Sequence, residues 1–262
     1  MINFNNKLKE ECRKKNNRLC LGLDIDNNNL KDKSLDYMQD YIIDIINTTI
    51  DLCPVYKINF SFYERYGSKG FKILENISQI IDGKAITIAD AKRGDIGNSS
   101  KFYAEAIFDY LNFDSITVSP YMGIDSIEPF TNYDKGVFVL CLTSNPGSAD
   151  LQKISDQNGI AMYQHIIRIA HKINNNNNIG LVVGATNIDY LNKIKSISLD
   201  LPWLMPGVGF QGGDLQESIK IGENKGLAII NVSRGILTYG KGDINDIRKA
   251  TEMYTNEIRS VL

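Results

Sequence analysis

The chain has very little histidine, and this absence narrows the chemistry it can perform. Only His165 and His171 occur among 262 residues. They are six positions apart on a predicted helix, so they lie on different faces and form neither a metal pair nor a catalytic pair. Chemistry that depends on histidine as acid, base or metal ligand is therefore nearly excluded.

Paired cysteines, long apolar runs and excess charge are also missing. The four cysteines lack Cys-x-x-Cys spacing, which predicts buried reduced thiols. No apolar run could span a bilayer, and residues 1–15 lack a signal-peptide core, so we expect a cytoplasmic protein with no membrane association. The net charge of −2 gives no reason to expect nucleic-acid binding, because that normally requires a clustered basic surface.

Short apolar runs alternate with segments of helical periodicity along the whole chain. The runs are 19–24, 54–59, 85–90, 115–119, 136–143, 179–184, 203–207 and 227–232. The helical segments include 36–52, 71–81, 99–111, 160–173, 190–197 and 215–224. Eight repeats of strand and helix predict one closed (β/α)8 barrel, an α/β fold, over residues 1–262. Residues 3–15 are predicted to form a helix that closes the barrel floor, and 174–178 a surface turn.

The third run ends in three charges and a glycine-rich turn. Residues 86–97 read Ile-Thr-Ile-Ala-Asp-Ala-Lys-Arg-Gly-Asp-Ile-Gly, with the charges at Asp90, Lys92 and Asp95. Residues two apart in a strand point to the same side, so Asp90 and Lys92 are expected to emerge together. Desolvating such a pair is costly, which favours a functional role. A structural ion pair that closes the strand end is the alternative.

Two glycine-rich segments follow the last two runs. Residues 206–213 read Pro-Gly-Val-Gly-Phe-Gln-Gly-Gly, and residues 231–235 read Asn-Val-Ser-Arg-Gly. Glycines let backbone N–H groups approach an anion, and loops seven and eight of such barrels frequently bind phosphate. Arg234 would supply a bidentate guanidinium and Gln211 a neutral donor. Together the loops predict a phosphate site rather than flexible turns.

The unusual polar residues all follow predicted strands, whose ends converge on one face of a barrel. They include Asp24, Lys57, Asn59, Asp90, Lys92, Gln211 and Arg234. Lysines between carboxylates suit a phosphorylated substrate that reacts through a carbanion, with one lysine donating a proton to carbon. Neither a Ser/His nor a Cys/His arrangement competes with this interpretation.

These motifs resemble the orotidine 5′-monophosphate decarboxylase family. The resemblance rests on Asp-Ala-Lys-Arg-Gly-Asp-Ile-Gly, on Pro-Gly-Val-Gly-Phe-Gln-Gly-Gly and on the final Ser-Arg-Gly. Thr-Ser-Asn-Pro-Gly at 143–147 is similar to its bacterial and protozoan branch. Motifs from residue 21 to 235 occur in the family's order. The resemblance implies cofactor-independent, metal-free decarboxylation of orotidine 5′-monophosphate to uridine 5′-monophosphate, the last step of de novo UMP synthesis.

The resemblance also implies residue roles. Lys92 would protonate C6 of the pyrimidine after CO2 leaves, Asp90 would lie against the departing group, and Lys57 would contact the ribose and Asp90. The implied substrate-binding residues are Asp24, Asn59, Ser99, Ser144, Pro206, Gln211, Arg234 and Gly235. Asp95, the fourth catalytic residue, and Ser99 would reach the neighbouring subunit's site in a homodimer. Ser99 stands where the family usually has threonine.

Two other functions remain as alternatives at this point. The Asp-x-Lys-x-x-Asp element is shared with decarboxylases and synthases of keto-sugar phosphates, whose enediolate chemistry normally uses Mg²⁺ held by carboxylates. A catalytically silent barrel that only binds nucleotides is the second alternative. Asp90, Lys92 and Asp95 argue against it. In a barrel that had lost its activity, mutations are expected to remove such energetically costly charges first.

Overall fold

The structure of the protein is a computed structural model that describes residues 2–208, 212–223 and 226–262. Eight parallel strands pair in chain order, and the last pairs with the first to close a barrel. The strands are β1 Leu19–Gly22, β2 Val55–Asn59, β3 Ile86–Arg93, β4 Ser115–Val118, β5 Gly136–Leu142, β6 Ile179–Val183, β7 Trp203–Pro206 and β8 Ala228–Val232. The predicted (β/α)8 barrel is confirmed.

Helices connect the strands and surround the barrel. Over the parts of the chain given above, they are α1 Phe4–Lys14, α2 Leu35–Thr49, α3 Ser61–Glu64, α4 Ser68–Ile81, α5 Gly97–Glu105, α6 Glu128–Thr131, α7 Ser148–Leu151, α8 Met162–Ile173, α9 Ile188–Ser198, α10 Leu215–Gly222, α11 Arg234–Leu237 and α12 Ile244–Arg259. A π-helical turn, Ala106–Tyr110, continues α5. The predicted helices agree within a few residues at most ends.

Two strand boundaries differ from the predictions in ways that affect the site. β1 ends at Gly22, so Asp24 lies in the loop beyond it rather than in the strand. β3 continues to Arg93, three residues past the predicted end at Asp90. The apolar character of each run located the strands, but hydrogen bonding to a neighbour decides where a strand ends.

Helix α1 closes the floor of the barrel, as predicted. Its buried side chains Phe4, Leu8 and Cys12 pack in one cluster with apolar residues from the strands. The rings of Phe4 and Phe138 pack in a T-shaped arrangement with centroids 6.1 Å apart. Gly136 lies beneath that ring, where a Cβ would overlap it, so the missing side chain makes room for the helix. The floor is therefore a packed apolar plug.

The asparagine-rich segment 174–178 forms the predicted turn, and its side chains also make hydrogen bonds to buried backbone groups. Asn178 is buried, and its two side-chain N–H groups are shared among the carbonyl oxygens of Thr131, Tyr133 and Lys135, each 3.0 Å from the amide nitrogen. The side chain of Asn174 accepts from the backbone N–H of Asn178. Part of this tract therefore satisfies buried backbone groups.

None of the helices in the ranges above is long and apolar enough to cross a membrane. Cytoplasmic location stays a prediction.

Candidate active site

A cavity of about 1190 Å³ opens at the carboxyl ends of the barrel strands. Most of the site residues expected from the sequence line it. They are Asp24, Lys57, Asn59, Asp90, Lys92, Ser144, Pro206, Arg234 and Gly235. The convergence expected from a parallel barrel is therefore present for these nine side chains and backbone positions.

Four of these residues form a row of alternating charges. Lys57 Nζ lies 3.3 Å from Asp24 Oδ1 and 3.1 Å from Asp90 Oδ2. The other oxygen of Asp90, Oδ1, lies 2.6 Å from Lys92 Nζ. The side chain of Lys57 is only 6% exposed, whereas that of Lys92 is 48% exposed. The row therefore begins in a buried pair and ends in an ammonium group at the open cavity.

Burial opposes charge on Lys57 and Asp90, and their neighbours outweigh it. Burial alone would lower the pKa of Lys57, but the carboxylates of Asp24 and Asp90 hold this pKa above its ordinary value. Burial alone would raise the pKa of Asp90, but the ammonium groups of Lys57 and Lys92 lower it to about 2. Both groups consequently stay charged at neutral pH.

The end of β3 is bulged where it carries this chemistry. Ala89 pairs with Ile116 and Arg93 with Val118, so β3 takes four steps where β4 takes two. Within the bulge Lys92 adopts the left-handed backbone conformation, with φ 48°. Left-handed backbone is uncommon for residues other than glycine, and bulges beside active sites re-aim side chains. The expected contact between Asp90 and Lys92 exists, but simple strand alternation does not produce it.

One hydroxyl group spans the bulge. Thr117, buried on β4, donates from Oγ1 to Asp90 Oδ1 at 3.0 Å. Thr117 Oγ1 also accepts a hydrogen bond from the backbone N–H of Lys92, again at 3.0 Å. The sequence interpretation missed Thr117, because a threonine inside a short β-branched strand carries no signal of its own.

The loop that carries Asp24 is tied to the neighbouring strand. The backbone N–H of Leu23 donates to the carbonyl of Lys57, and the hydroxyl of Tyr63 donates to the carbonyl of Leu23. Asn59 donates its backbone N–H to Asp24 Oδ1 at 3.4 Å, while its side-chain oxygen accepts from Ser61. Asp24 is therefore held although it lies outside β1.

The loops after β5, β7 and β8 carry the predicted base-binding and phosphate-binding groups. Gly184, after β6, lets the backbone of Ser144 come close, since a Cβ on Gly184 would lie 2.8 Å from Ser144 N. Pro206 ends β7, and Arg234 and Gly235 begin α11 directly after β8. Gln211, the remaining predicted phosphate ligand, lies outside the described residues.

Asp95 and Ser99 do not line this cavity, in contrast to the nine predicted site residues named above. Asp95 accepts the backbone N–H of Ile96 at 2.8 Å, and Ser99 is exposed on α5. The cavity lining drawn from the described part of the chain includes neither residue.

None of the cysteines or histidines lines the cavity. All four cysteines are buried free thiols, as predicted. His165 pairs with Asp156 and His171 faces the carbonyl of Ile197, away from the cavity. Within residues 2–208, 212–223 and 226–262, no group of three or more His, Cys, Asp or Glu side chains is placed to hold a metal ion.

Comparisons with known proteins agree on one family. The model of the orotidine 5′-phosphate decarboxylase / HUMPS family matches residues 17–245. The orotidine 5′-phosphate decarboxylase of Dehalococcoides mccartyi is 46% identical over 242 residues, covering 90% of this chain and 89% of that protein. The protein of the same name from Flavobacterium johnsoniae is 41% identical over 244 residues, covering 90% and 89%. The structure of Leishmania donovani OMP decarboxylase has a TM-score of 0.88 and 34% identity, covering 99% of this chain and 98% of that chain.

Proposed function

This chain belongs to the orotidine 5′-phosphate decarboxylase family and removes CO2 from orotidine 5′-monophosphate to give uridine 5′-monophosphate, and we propose that Lys92 is its proton donor. The observation that carries the proposal is the charge row from Asp24 through Lys57 and Asp90 to Lys92. It ends in an exposed ammonium group beside a carboxylate, inside a cavity with an arginine among its lining residues.

The row suits a reaction that passes through a carbanion. When the bond between C6 and the carboxylate breaks, its electron pair stays on C6 and CO2 leaves. The Lys92 ammonium stabilises that charge and donates the proton that forms the new C–H bond. Asp90 lies against the departing carboxylate and, with Lys57, keeps Lys92 oriented. Repulsion between Asp90 and the substrate carboxylate would in addition be relieved on loss of CO2.

The remaining residues bind the parts of the nucleotide that do not react. Arg234 and the backbone of Gly235 hold the phosphate, together with Gln211. Asp24, Lys57 and Asn59 contact the ribose side. Ser144 hydrogen-bonds the pyrimidine edge, and Pro206 packs against the ring. Binding energy from the remote phosphate then supports the step at C6.

We propose that no metal ion or cofactor takes part. Both oxygens of Asp90 already face ammonium groups, Lys57 on one side and Lys92 on the other. A divalent cation at Asp90 would be repelled by both lysines. The cavity therefore suits a substrate with negative charge better than a bound cation.

The test is an ultraviolet absorbance assay with orotidine 5′-monophosphate after exhaustive chelation. We expect full turnover in the chelating buffer, with no gain on adding Mg²⁺. Activity that disappears with the chelator and returns with Mg²⁺ would favour the keto-sugar phosphate chemistry named above, and a keto-sugar phosphate should then be turned over in its place. No turnover in either buffer would contradict the assigned reaction itself.

The proposal includes a homodimer in which Asp95 and Ser99 complete the partner's site. Neither residue lines its own cavity, and exposed apolar side chains of their own segment and of the adjoining loop after β4 form a surface beside them. That surface comprises Ile96, Phe102, Tyr103, Tyr121 and Met122, which are 57%, 60%, 40%, 81% and 45% exposed. Apolar surface of this kind favours association with another protein surface. A second copy that covers it would bring Asp95 towards the neighbouring cavity.

Complementation between inactive variants tests the shared site. Lys92→Ala and Asp95→Ala chains are each expected to be inactive alone. After subunit exchange, half of the dimers are mixed and each holds one intact site, so about one quarter of wild-type activity should return. Sedimentation should report a dimer for both variants. No recovery despite confirmed exchange would show that each site is built from one chain.

A further inference from the structure

The cavity holds one charged side chain whose backbone conformation needs support. Lys92 lies in the bulge of β3 with φ 48°, in the left-handed region that favours glycine. Such conformations persist only when the surrounding structure holds them in place, and they cluster at functional sites. Lys92 also has a long side chain that is 48% exposed, so packing does little to fix its ammonium group.

The hydroxyl of Thr117 is placed to supply this support. The bulge puts Asp90, Ala91 and Lys92 opposite Thr117 alone, because β3 takes two extra steps there. The Lys92 backbone N–H consequently bonds to Thr117 Oγ1, at 3.0 Å, instead of joining the regular ladder. Oγ1 in turn donates its proton to Asp90 Oδ1, at 3.0 Å.

Asp90 Oδ1 therefore accepts hydrogen bonds from two donors, and these two donors are themselves linked through the backbone of Lys92. It receives Lys92 Nζ at 2.6 Å and Thr117 Oγ1 at 3.0 Å. The hydroxyl thus links the backbone of Lys92 to the carboxylate that binds the Lys92 side chain. This closes a loop of hydrogen bonds around the proposed proton donor. Thr117 lies in the cavity wall but is almost fully buried, so its hydroxyl is little exposed to bulk water.

We infer that Thr117 is a positioning residue for Lys92: it holds the left-handed bulge and the Asp90 carboxylate in the register that aims the Lys92 ammonium group. The inference rests on the proposed role of Lys92 as proton donor. It predicts that the hydroxyl affects the chemical step and has little effect on nucleotide binding, because Thr117 acts through Lys92 and Asp90.

The same two strands provide a matched control at their other ends. Thr87 Oγ1 donates to Asp114 Oδ2 at 3.1 Å and accepts the backbone N–H of Asp114 at 2.9 Å. Both threonines are buried and bridge β3 to the β4 side through an aspartate. Thr87 lies at the amino end of β3, away from the cavity, so it reproduces the hydrogen bonding without the chemistry.

The experiment compares Thr117→Val, Thr117→Ser and Thr87→Val. Misplacing a reacting group by about 1 Å can lower the rate by about 100-fold, so losing a group that orients it is expected to cost about 10–100-fold. We expect a loss of that size in kcat for Thr117→Val, while KM and the Kd of uridine 5′-monophosphate stay within about threefold. Thr117→Ser should recover most of kcat. Thr87→Val should lower Tm and leave kcat unchanged.

Three results would overturn the inference. One is a Thr117→Val enzyme with kcat within about threefold of wild type. Another is a Thr117→Ser enzyme as slow as Thr117→Val, since packing would then explain the loss. The third is nucleotide Kd weakening in step with kcat, which would mean direct ligand contact. Should Thr117→Val not fold, Thr117→Cys gives the same comparison, because a thiol is only a weak hydrogen-bonding group.

A parallel measurement on Lys92→Ala separates this inference from the proposed function. If Lys92→Ala is inactive and Thr117→Val is not impaired, only the role of Thr117 fails. If Lys92→Ala turns over normally, the assignment of Lys92 fails and the inference fails with it.

Discussion

Two threonine–aspartate–lysine assemblies lie at opposite ends of the same pair of strands. At the floor, Thr87 donates to Asp114, which also binds Lys7 at 2.6 Å. At the carboxyl ends, Thr117 donates to Asp90, which also binds Lys92 at 2.6 Å. In both, the threonine oxygen accepts a backbone N–H from across the strand pair.

The difference lies in what surrounds each carboxylate. Two hydrogen bonds from Thr87, one from its backbone and one from its hydroxyl, satisfy Asp114. Its lysine is a surface group, 52% exposed. Asp90 has a buried lysine, Lys57, on its second oxygen and an open cavity beside it. The hydrogen-bonding groups of Asp114 are therefore all paired within the fold. Asp90, in contrast, lies between two ammonium groups at the edge of the cavity.

The comparison shows that similar residue types serve stability at one end of a barrel and chemistry at the other. A bulge, a left-handed lysine backbone and a second buried ion pair occur at the carboxyl ends. None of these is needed to close the barrel. These three features are unfavourable locally, and they hold the Lys92 ammonium group at the cavity.

The largest expected effect of any single change is the loss of Lys92. Lys92→Ala should lower kcat by about 10²–10⁴-fold, the usual contribution of general acid catalysis. The Kd of uridine 5′-monophosphate should change far less, because the phosphate site is intact. Steady-state kinetics and isothermal calorimetry measure the two quantities. Equal losses in kcat and in affinity would mean that Lys92 serves nucleotide binding and not the chemical step.

At the floor the expected large effect is on stability. Phe4→Ala removes a ring that is 2% exposed and should lower the free energy of unfolding by about 3–5 kcal/mol. Urea unfolding monitors this change, and kcat below the transition should equal that of wild type. A reduced kcat in the fully folded variant would show that the two ends are coupled.

Acid titration distinguishes Asp90 from ordinary carboxylates. Its folded pKa of about 2 lies below its ordinary value of 3.8, so its stabilisation is complete above the unfolded pKa and is lost as pH falls towards 2. Wild type should therefore lose about 2 kcal/mol more than Asp90→Asn between pH 5 and pH 2. Urea unfolding at several pH values measures the difference. Parallel curves for the two proteins would contradict the depressed pKa.

The smallest effect is expected at the surface ion pair of the floor. Lys7→Met should cost about 0–1 kcal/mol, because the lysine is half exposed and Asp114 keeps its bonds to Thr87. Thermal unfolding gives the magnitude, and kcat serves as the control. A loss comparable with that of Phe4→Ala would mean that the two assemblies are energetically alike.

Much of this architecture was accessible from the sequence because it follows from periodicity. All eight strands, α1 and the convergence of Lys57, Asp90 and Lys92 were predicted. Helix α12 was missed. Its buried face is Ile247, Ala250, Thr251, Thr255 and Ile258, and three of these five residues are small or hydroxyl-bearing, so the apolar pattern is weak.

The bulge and the function of Thr117 could not be predicted, for a different reason. Strand alternation predicts the contact of Asp90 with Lys92 without any extra residue, so nothing in the sequence signals that β3 and β4 lose register. Thr117 occurs in a strand where threonine is ordinary. Its importance depends on Asp90 and Lys92, which the pairing of β3 with β4 brings next to it.

The most direct test of the account is a crystal structure with uridine 5′-monophosphate bound. The account predicts that Lys92 Nζ points at the C6 edge of the pyrimidine within hydrogen-bonding reach, still bound to Asp90, with Arg234 on the phosphate. A Lys92 ammonium group directed away from the base while the nucleotide fills the cavity would contradict it.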